Sequence, residues 1–221
     1  MMANALLFCT LYFFFYGDLV WRWLLFAYVA VLLLTMIVHL FREKVNAVES
    51  WGNLCAGQLM IALPFALMSG VVFHHKWLML ALFILIWVND SGAYIVGSLM
   101  SKRKGGNHKM FPRVSPAKSW EGLIGGFVFD LIAGYVFFRV GWTASLGLTA
   151  YPLLDSLLFA LVVGVFGTLG DLMESLMKRT VGVKDSGRFM PGHGGVLDRF
   201  DSLLLAVPVV YFLFVYLPTI L

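Results

Sequence analysis

The residues of this chain best suited to chemistry lie in its last third. Asp171, Glu174 and Lys178 follow one another at intervals of three and four, so on a helix they share one face. Asp198 and Asp201 are three apart at the start of the last apolar stretch and would also share a helix face. Carboxylates at the edge of hydrocarbon are costly without a partner and by default mark function. Hard cations such as Mg²⁺ take carboxylate oxygens together with substrate phosphates. Asp171, Asp198 and Asp201 are therefore the expected metal ligands, for Mg²⁺ and for a second cation if one binds. With Lys178 they form the candidate catalytic set. Between the two helix ends runs Pro191-Gly192-His193-Gly194-Gly195. Glycines let the backbone approach a ligand, and amides that open a helix attract anions. Lys178, Arg179, Lys184 and Arg199 add counter-charge for phosphates. His193 has no second histidine at ligand spacing and reads as a hydrogen-bonding residue. A macrodipole preference for acids at helix N-termini explains one such carboxylate, but not three around a basic glycine loop.

A second cluster, Ser115-Pro116-Ala117-Lys118-Ser119-Trp120-Glu121-Gly122, runs into an apolar stretch. Ser119 is placed to cap a helix, and Glu121 falls in its first turn. Ser115 and Lys118 are suited to phosphate contact. Asn89-Asp90-Ser91-Gly92 interrupts another apolar run. Polar groups there must be satisfied inside the protein, so they either line the site or tie helices together. Asp130 and Asp155 fall toward the opposite side and stay outside the site. Cys9 and Cys55 have no ligand spacing and read as buried structural thiols, not a disulfide or zinc site.

The elements that must position these residues are membrane spans. The chain has 221 residues, 61% hydrophobic and 13% charged, with mean hydropathy +0.88. A soluble domain carries about 25% charged residues. Seven apolar stretches stand out, at about 3–16, 19–41, 54–73, 77–97, 120–140, 153–173 and 196–221. The expected fold is all-α, a polytopic transmembrane helical bundle of about six to seven spans, forming one membrane domain over 1–221. Segments 98–119 and 174–195 are rich in Lys and Arg, whereas 141–152 has none. The positive-inside rule puts both basic segments, and the polar site, on the cytoplasmic side. The net charge of +4 is explained by these loops and an anionic ligand, so no nucleic-acid partner is expected.

The run from Ser175 through Lys178-Arg179, Lys184-Asp185-Ser186-Gly187 and Pro191-Gly192-His193-Gly194-Gly195 to Asp198-Arg199-Phe200-Asp201 resembles the signature of phosphatidate cytidylyltransferases, the CDP-diacylglycerol synthases. Asn89-Asp90-Ser91, Ser115 to Gly122 and Gly167 to Asp171 match in order, so the resemblance covers roughly 50–221. It implies the reaction of CTP with phosphatidate to give CDP-diacylglycerol and pyrophosphate, with Mg²⁺. The partners are then CTP, phosphatidate and the lipid bilayer, with a homodimer as a further expectation, in a bacterial inner membrane. Substrate binding would fall to Asp90, Ser115, Lys118, Ser119, Glu121, Arg179, Lys184, Asp185, His193, Gly194, Gly195 and Arg199. The family usually carries more apolar sequence at the start, so 1–50 resembles a shortened N-terminal part and 51–221 the catalytic part. Ala117 stands where many members have a second lysine. The rival readings are another CTP-dependent membrane lipid enzyme, of lipid-kinase type, and a transporter with buried ion-binding acids. The latter would place its acids near the midplane, often between repeats, and no repeat is visible.

Overall fold

The computed structural model describes residues 2–42, 46–103, 106–143, 146, 148–187 and 195–220. These fall into two compact units, Met1–His75 and Lys76–Leu221. Five helices are long and apolar enough to cross a membrane, and two shorter apolar helices, Met2–Tyr16 and Leu203–Thr219, join them. The expectation of a polytopic helical membrane protein is met.

In the first unit, α1 (Met2–Tyr16) packs on α2 (Val20–Leu40) and α4 (Leu63–His74). No residue of α2 is buried within the protein, which suits an apolar helix with lipid on most sides. The third span begins at Ala47, earlier than the apolar run suggested, because Asn46 caps α3 (Ala47–Gly57) by accepting the Glu49 N–H at 3.2 Å. A wide π turn, Gln58–Ala62, joins α3 to α4. It falls where the Pro64 ring would otherwise meet the carbonyl of Met60 four residues back.

The second unit holds the candidate site. Helix α5 (Lys76–Ser101) leads into a short antiparallel hairpin, β1 (Lys109–Phe111) and β2 (Ser115–Ser119), and then into α6 (Trp120–Val140). Helix α7 (Pro152–Thr180) follows, then a 3₁₀ turn (Leu197–Arg199) and α8 (Leu203–Val210), which continues in a wide π segment (Tyr211–Tyr216) and a tighter 3₁₀ turn (Leu217–Thr219). Glycines let the helices close on one another. A Cβ at Gly125 of α6 would run into Val96 of α5, and one at Gly134 would lie 2.8 Å from Ala160 Cβ of α7. In lipid, where apolar surface alone does not drive association, such small-residue contacts are a main source of helix packing. Phe159 of α7 and Phe214 beyond α8 meet edge to face in the core at 5.4 Å.

Three local features differ from the sequence expectation. The segment Ser115–Ser119 is a strand, so the fold is not purely helical. Helix α7 runs to Thr180, beyond the apolar stretch that ends at about 173, and so keeps Asp171, Glu174 and Lys178 on one helix, as their spacing suggests. The last helix starts at Leu203, so Asp198 and Asp201 do not share a helix face. Local bonds from their side chains to backbone N–H groups hold the chain in turns instead.

Asp130 also lies elsewhere than expected. It sits midway along α6, about 15 Å from the helix start at 1.5 Å per residue, and is wholly buried. Asp155 stands at the far end, where it accepts the Thr149 N–H at 3.1 Å and helps begin α7. The cysteines are free thiols, as expected, but not buried ones: Cys9 is half-buried and Cys55 is exposed. Both lie on apolar helices, where lipid takes the place of a protein core.

Candidate functional site

The hairpin and the start of α6 are fastened by the residues that open the helix. Ser119 Oγ accepts the Gly122 N–H at 3.2 Å. Glu121 accepts from the His108 backbone N–H at 3.0 Å, and its carboxylate lies 2.6 Å from His108 Nδ1. Both residues are thereby committed to holding the hairpin against α6. Lys118, one residue before the cap, reaches across to α7 and pairs with Asp171 at 2.6 Å. Asp171 also accepts from Ser175 at 3.3 Å.

Beside this pair lies a cavity of about 360 Å³. Asn89 and Asp90 of α5, Lys109, Lys118 and Ser119 of the hairpin, and Thr168 of α7 line it. It is large enough for part of a small ligand and mixes apolar walls with a few polar groups, as ligand pockets do.

A second charge cluster closes the end of α7. The Lys178 ammonium pairs with Glu174 one turn back and with Asp198 at 2.7 Å. The other Asp198 oxygen accepts the Ser186 N–H at 2.9 Å, the Ser186 hydroxyl at 2.8 Å and the Gly195 N–H at 2.7 Å. One carboxylate thus pins positions 186 and 195 of the loop to α7. Burial alone would raise the Asp198 pKa, but Lys178 and the donors of Gly195 and Ser186 outweigh it and hold the carboxyl well below the usual range.

Asp201 has the opposite environment. It accepts the Ser202 N–H at 2.6 Å. Burial first, and then the charge of Asp171, push its carboxyl up to about 6. Gly170 makes room for this turn, since a Cβ there would lie 2.6 Å from the Asp201 carbonyl oxygen.

These carboxylates bear on metal binding. Among the described residues no group of three His, Cys, Asp or Glu side chains stands close enough to hold an ion alone. Mg²⁺ does not need such a cage, because it keeps waters and uses one or two carboxylates with substrate phosphates. Asp171 and Asp201 fit that pattern: their charges oppose one another, and a cation between them relieves the opposition. Asp198 already spends both oxygens on Lys178 and the loop.

The sequence model of the cytidylyltransferase family matches residues 1–217. The chain belongs to the cytidylyltransferase family. It is 45% identical over 139 residues to the phosphatidate cytidylyltransferase of Haemophilus influenzae, covering 62% of this chain and 45% of that protein. The phosphatidate cytidylyltransferase of Bacillus subtilis is 48% identical over 130 residues, 59% of this chain and 44% of its own length. That of Staphylococcus haemolyticus is 45% identical over 134 residues, 60% of this chain and 47% of its own. The chain spans about half the length of the relatives it matches.

Within this family member, the structure gathers only part of the expected substrate-binding set. Asp90, Lys118 and Ser119 line the cavity. Ser115 pairs with Phe111 across the hairpin and does not line it. Arg179, Lys184, Asp185 and Arg199 are exposed at the end of α7 and along the loop. Gly195 contributes its backbone N–H to Asp198, whereas His193 and Gly194 lie outside the described residues. Sequence reasoning missed Thr168 as a cavity residue, whereas the shared face read from the four-residue spacing of Glu174 and Lys178 is where the structure pairs them.

Proposed function

We propose that this chain is a phosphatidate cytidylyltransferase, working at the cytoplasmic face of a bacterial inner membrane. The observation that carries the reading is the Lys118–Asp171 pair, through which a cavity-lining lysine meets an acid of α7, so that an apolar helical unit holds phosphate-seeking and metal-seeking groups side by side. The phosphatidate cytidylyltransferase activity of its relatives supports it.

The cavity takes the nucleoside of CTP, and its phosphates extend past Lys118 toward Asp171 and Asp201. Those two acids would hold Mg²⁺, which when bound would neutralise charge on the phosphates. A phosphate oxygen of phosphatidate forms a bond to the α-phosphorus of CTP. The bond from that phosphorus to the bridging oxygen breaks, and its electron pair leaves with pyrophosphate. The attacking oxygen is already anionic, so no side chain needs to remove a proton. Lys118 turns from Asp171 to the nucleotide phosphates. The chain's contribution is positioning and charge, the two effects that dominate such displacements.

The reading is tested with purified full chain, cytosine-labelled CTP, phosphatidate and Mg²⁺ in detergent, by following label into the organic phase. Absence of Mg²⁺-dependent organic label overturns it. Lys118→Met loses a charge-assisted phosphate contact of about 1.5–3 kcal/mol, and its kcat/KM falls roughly tenfold to a hundredfold. A Lys118→Met protein of wild-type efficiency removes Lys118 from the site.

The orientation has its own test. Lys118 of the hairpin meets Asp171 near the end of α7, whereas Gly134 meets Ala160 nearer its start. Both polar loops therefore lie at one end of this unit. In cells, with Cys9 and Cys55 replaced, a cysteine at Ser101 or Val183 is protected from an impermeant thiol reagent and one at Tyr151 reacts. Labelling of Ser101 but not Tyr151 from outside reverses the topology.

A further inference from the structure

Asp130 is a buried acid that the mechanism above does not use. Asp130, at the middle of α6, is wholly inaccessible. Its Oδ2 accepts from Asn89 Nδ2 of α5 at 2.5 Å, and its Oδ1 is buried with no hydrogen-bond partner. A carboxylate oxygen facing an amide fixes which way the amide points, because only the NH₂ side can donate to it. Asn89 Oδ1 is then turned the other way, and Thr168 Oγ1 of α7 lies 3.5 Å from it. Asn89 and Thr168 both line the cavity, next to Asp90.

Two glycines show that the arrangement is built into the packing. A Cβ at Gly164 of α7 would run into Asp130 Oδ2, and one at Gly126 of α6 would lie 2.9 Å from Asn89 Nδ2. Three helices therefore meet around a pair in which Asp130 takes one of the two N–H donors of Asn89 and fixes the direction of its amide. On this side of the cavity the Asn89 carbonyl, which takes a long bond from the Thr168 hydroxyl, and the Asp90 carboxylate present acceptors, while Lys109 and Lys118 bring donors to the same cavity.

We propose that Asp130 is a positioning residue that sets the hydrogen-bond polarity of the cavity wall through Asn89, so that the cavity selects a ligand group bearing N–H or O–H donors. This rests on the reading of the cavity as the nucleoside site. Two groups of CTP have that chemistry, the exocyclic amine of the base and the ribose hydroxyls. UTP lacks the first, and dCTP lacks the 2′-hydroxyl.

The test reads binding, not turnover. The rise in thermal midpoint of the full chain is measured with CTP, UTP and dCTP, for wild type and for Asp130→Asn. Asparagine keeps the size but allows the Asn89 amide to present its NH₂ group to the cavity. Wild type is expected to prefer CTP over UTP if the wall meets the amine, or over dCTP if it meets the 2′-hydroxyl. In Asp130→Asn that preference falls about tenfold, the worth of one hydrogen bond of about 1.4 kcal/mol. Thr168→Val removes a cavity hydroxyl at nearly equal volume and serves as the second variant if Asp130→Asn does not fold. It reduces the same preference, read as the midpoint rise relative to its own ligand-free midpoint. Equal midpoint rises with all three nucleotides, no rise with any, or a preference unchanged in the folded variant overturns the proposal. Failure of label to reach lipid while these binding preferences hold overturns the proposed reaction and leaves Asp130 in its role.

Discussion

Asp201→Asn is expected to lose at least about a hundredfold in activity and yet to be more stable than wild type at pH 8. The carboxyl of Asp201 is pushed from 3.8 up to about 6 by burial and by Asp171. A raised acid pKa in the fold means that the ionised form is disfavoured there. The group's stabilising contribution is present below the unfolded value and is lost as pH rises through about 6. At pH 8 the loss is on the order of 2–3 kcal/mol. Asparagine keeps the turn and cannot ionise, so the variant escapes that loss. At pH 5 the advantage shrinks, since wild-type Asp201 is then mostly protonated in the fold. Thermal midpoints of both proteins in chelator at pH 5 and pH 8 check this. A normal rate together with unchanged midpoints reduces Asp201 to a residue of the turn before α8.

Lys178→Met carries the largest expected cost in stability. Lys178 holds two carboxylates, Glu174 and Asp198, whose side chains are only 2% and 12% exposed. Removing one partner from a buried charge network typically costs about 3–5 kcal/mol, and the partial exposure here places the value at the lower end. Without its cation, Asp198 no longer holds Ser186 and Gly195 against α7. Trypsin is then expected to cut after Lys184 much faster than in wild type. Adding Glu174→Gln to Lys178→Met removes the opposing charge and recovers part of the lost midpoint. The alternative, suggested by sequence alone, is that Lys178 serves the substrate directly. In that case Lys178→Met keeps the wild-type midpoint and cleavage rate and loses only CTP affinity.

The helices were legible because lipid imposes a simple rule: long apolar runs with few charges must close their own backbone hydrogen bonds. That rule located α1, α2, α5 and α6 within a few residues. It failed where side chains act locally, at Asn46, which starts the third span early, and at Asp198 and Asp201, whose bonds to backbone N–H groups keep a helix from beginning. Spacing of three suggested a shared helix face, but the pair lies in turns and the two side chains meet different partners. The Lys118–Asp171 contact joins residues 53 positions apart, which periodicity cannot pair. Asp130 lies midway along α6 and not toward its far end, because charge rules assign loops to sides of a membrane and say nothing about depth along a helix. The glycines that make room for it, Gly126 and Gly164, gain meaning only once three helices are packed together.

The central claim is that this chain moves a cytidylyl group to a lipid phosphate. It is tested most directly by two parallel incubations of the purified full chain with phosphatidate and Mg²⁺, one with CTP labelled at the α-phosphorus and one with CTP labelled at the γ-phosphorus. The account predicts that α-label enters the organic phase as CDP-diacylglycerol while γ-label stays in water as pyrophosphate. Label from the γ position in the lipid would mark a kinase, and label from neither would mean that this site does not activate phosphatidate with CTP; either result contradicts the account.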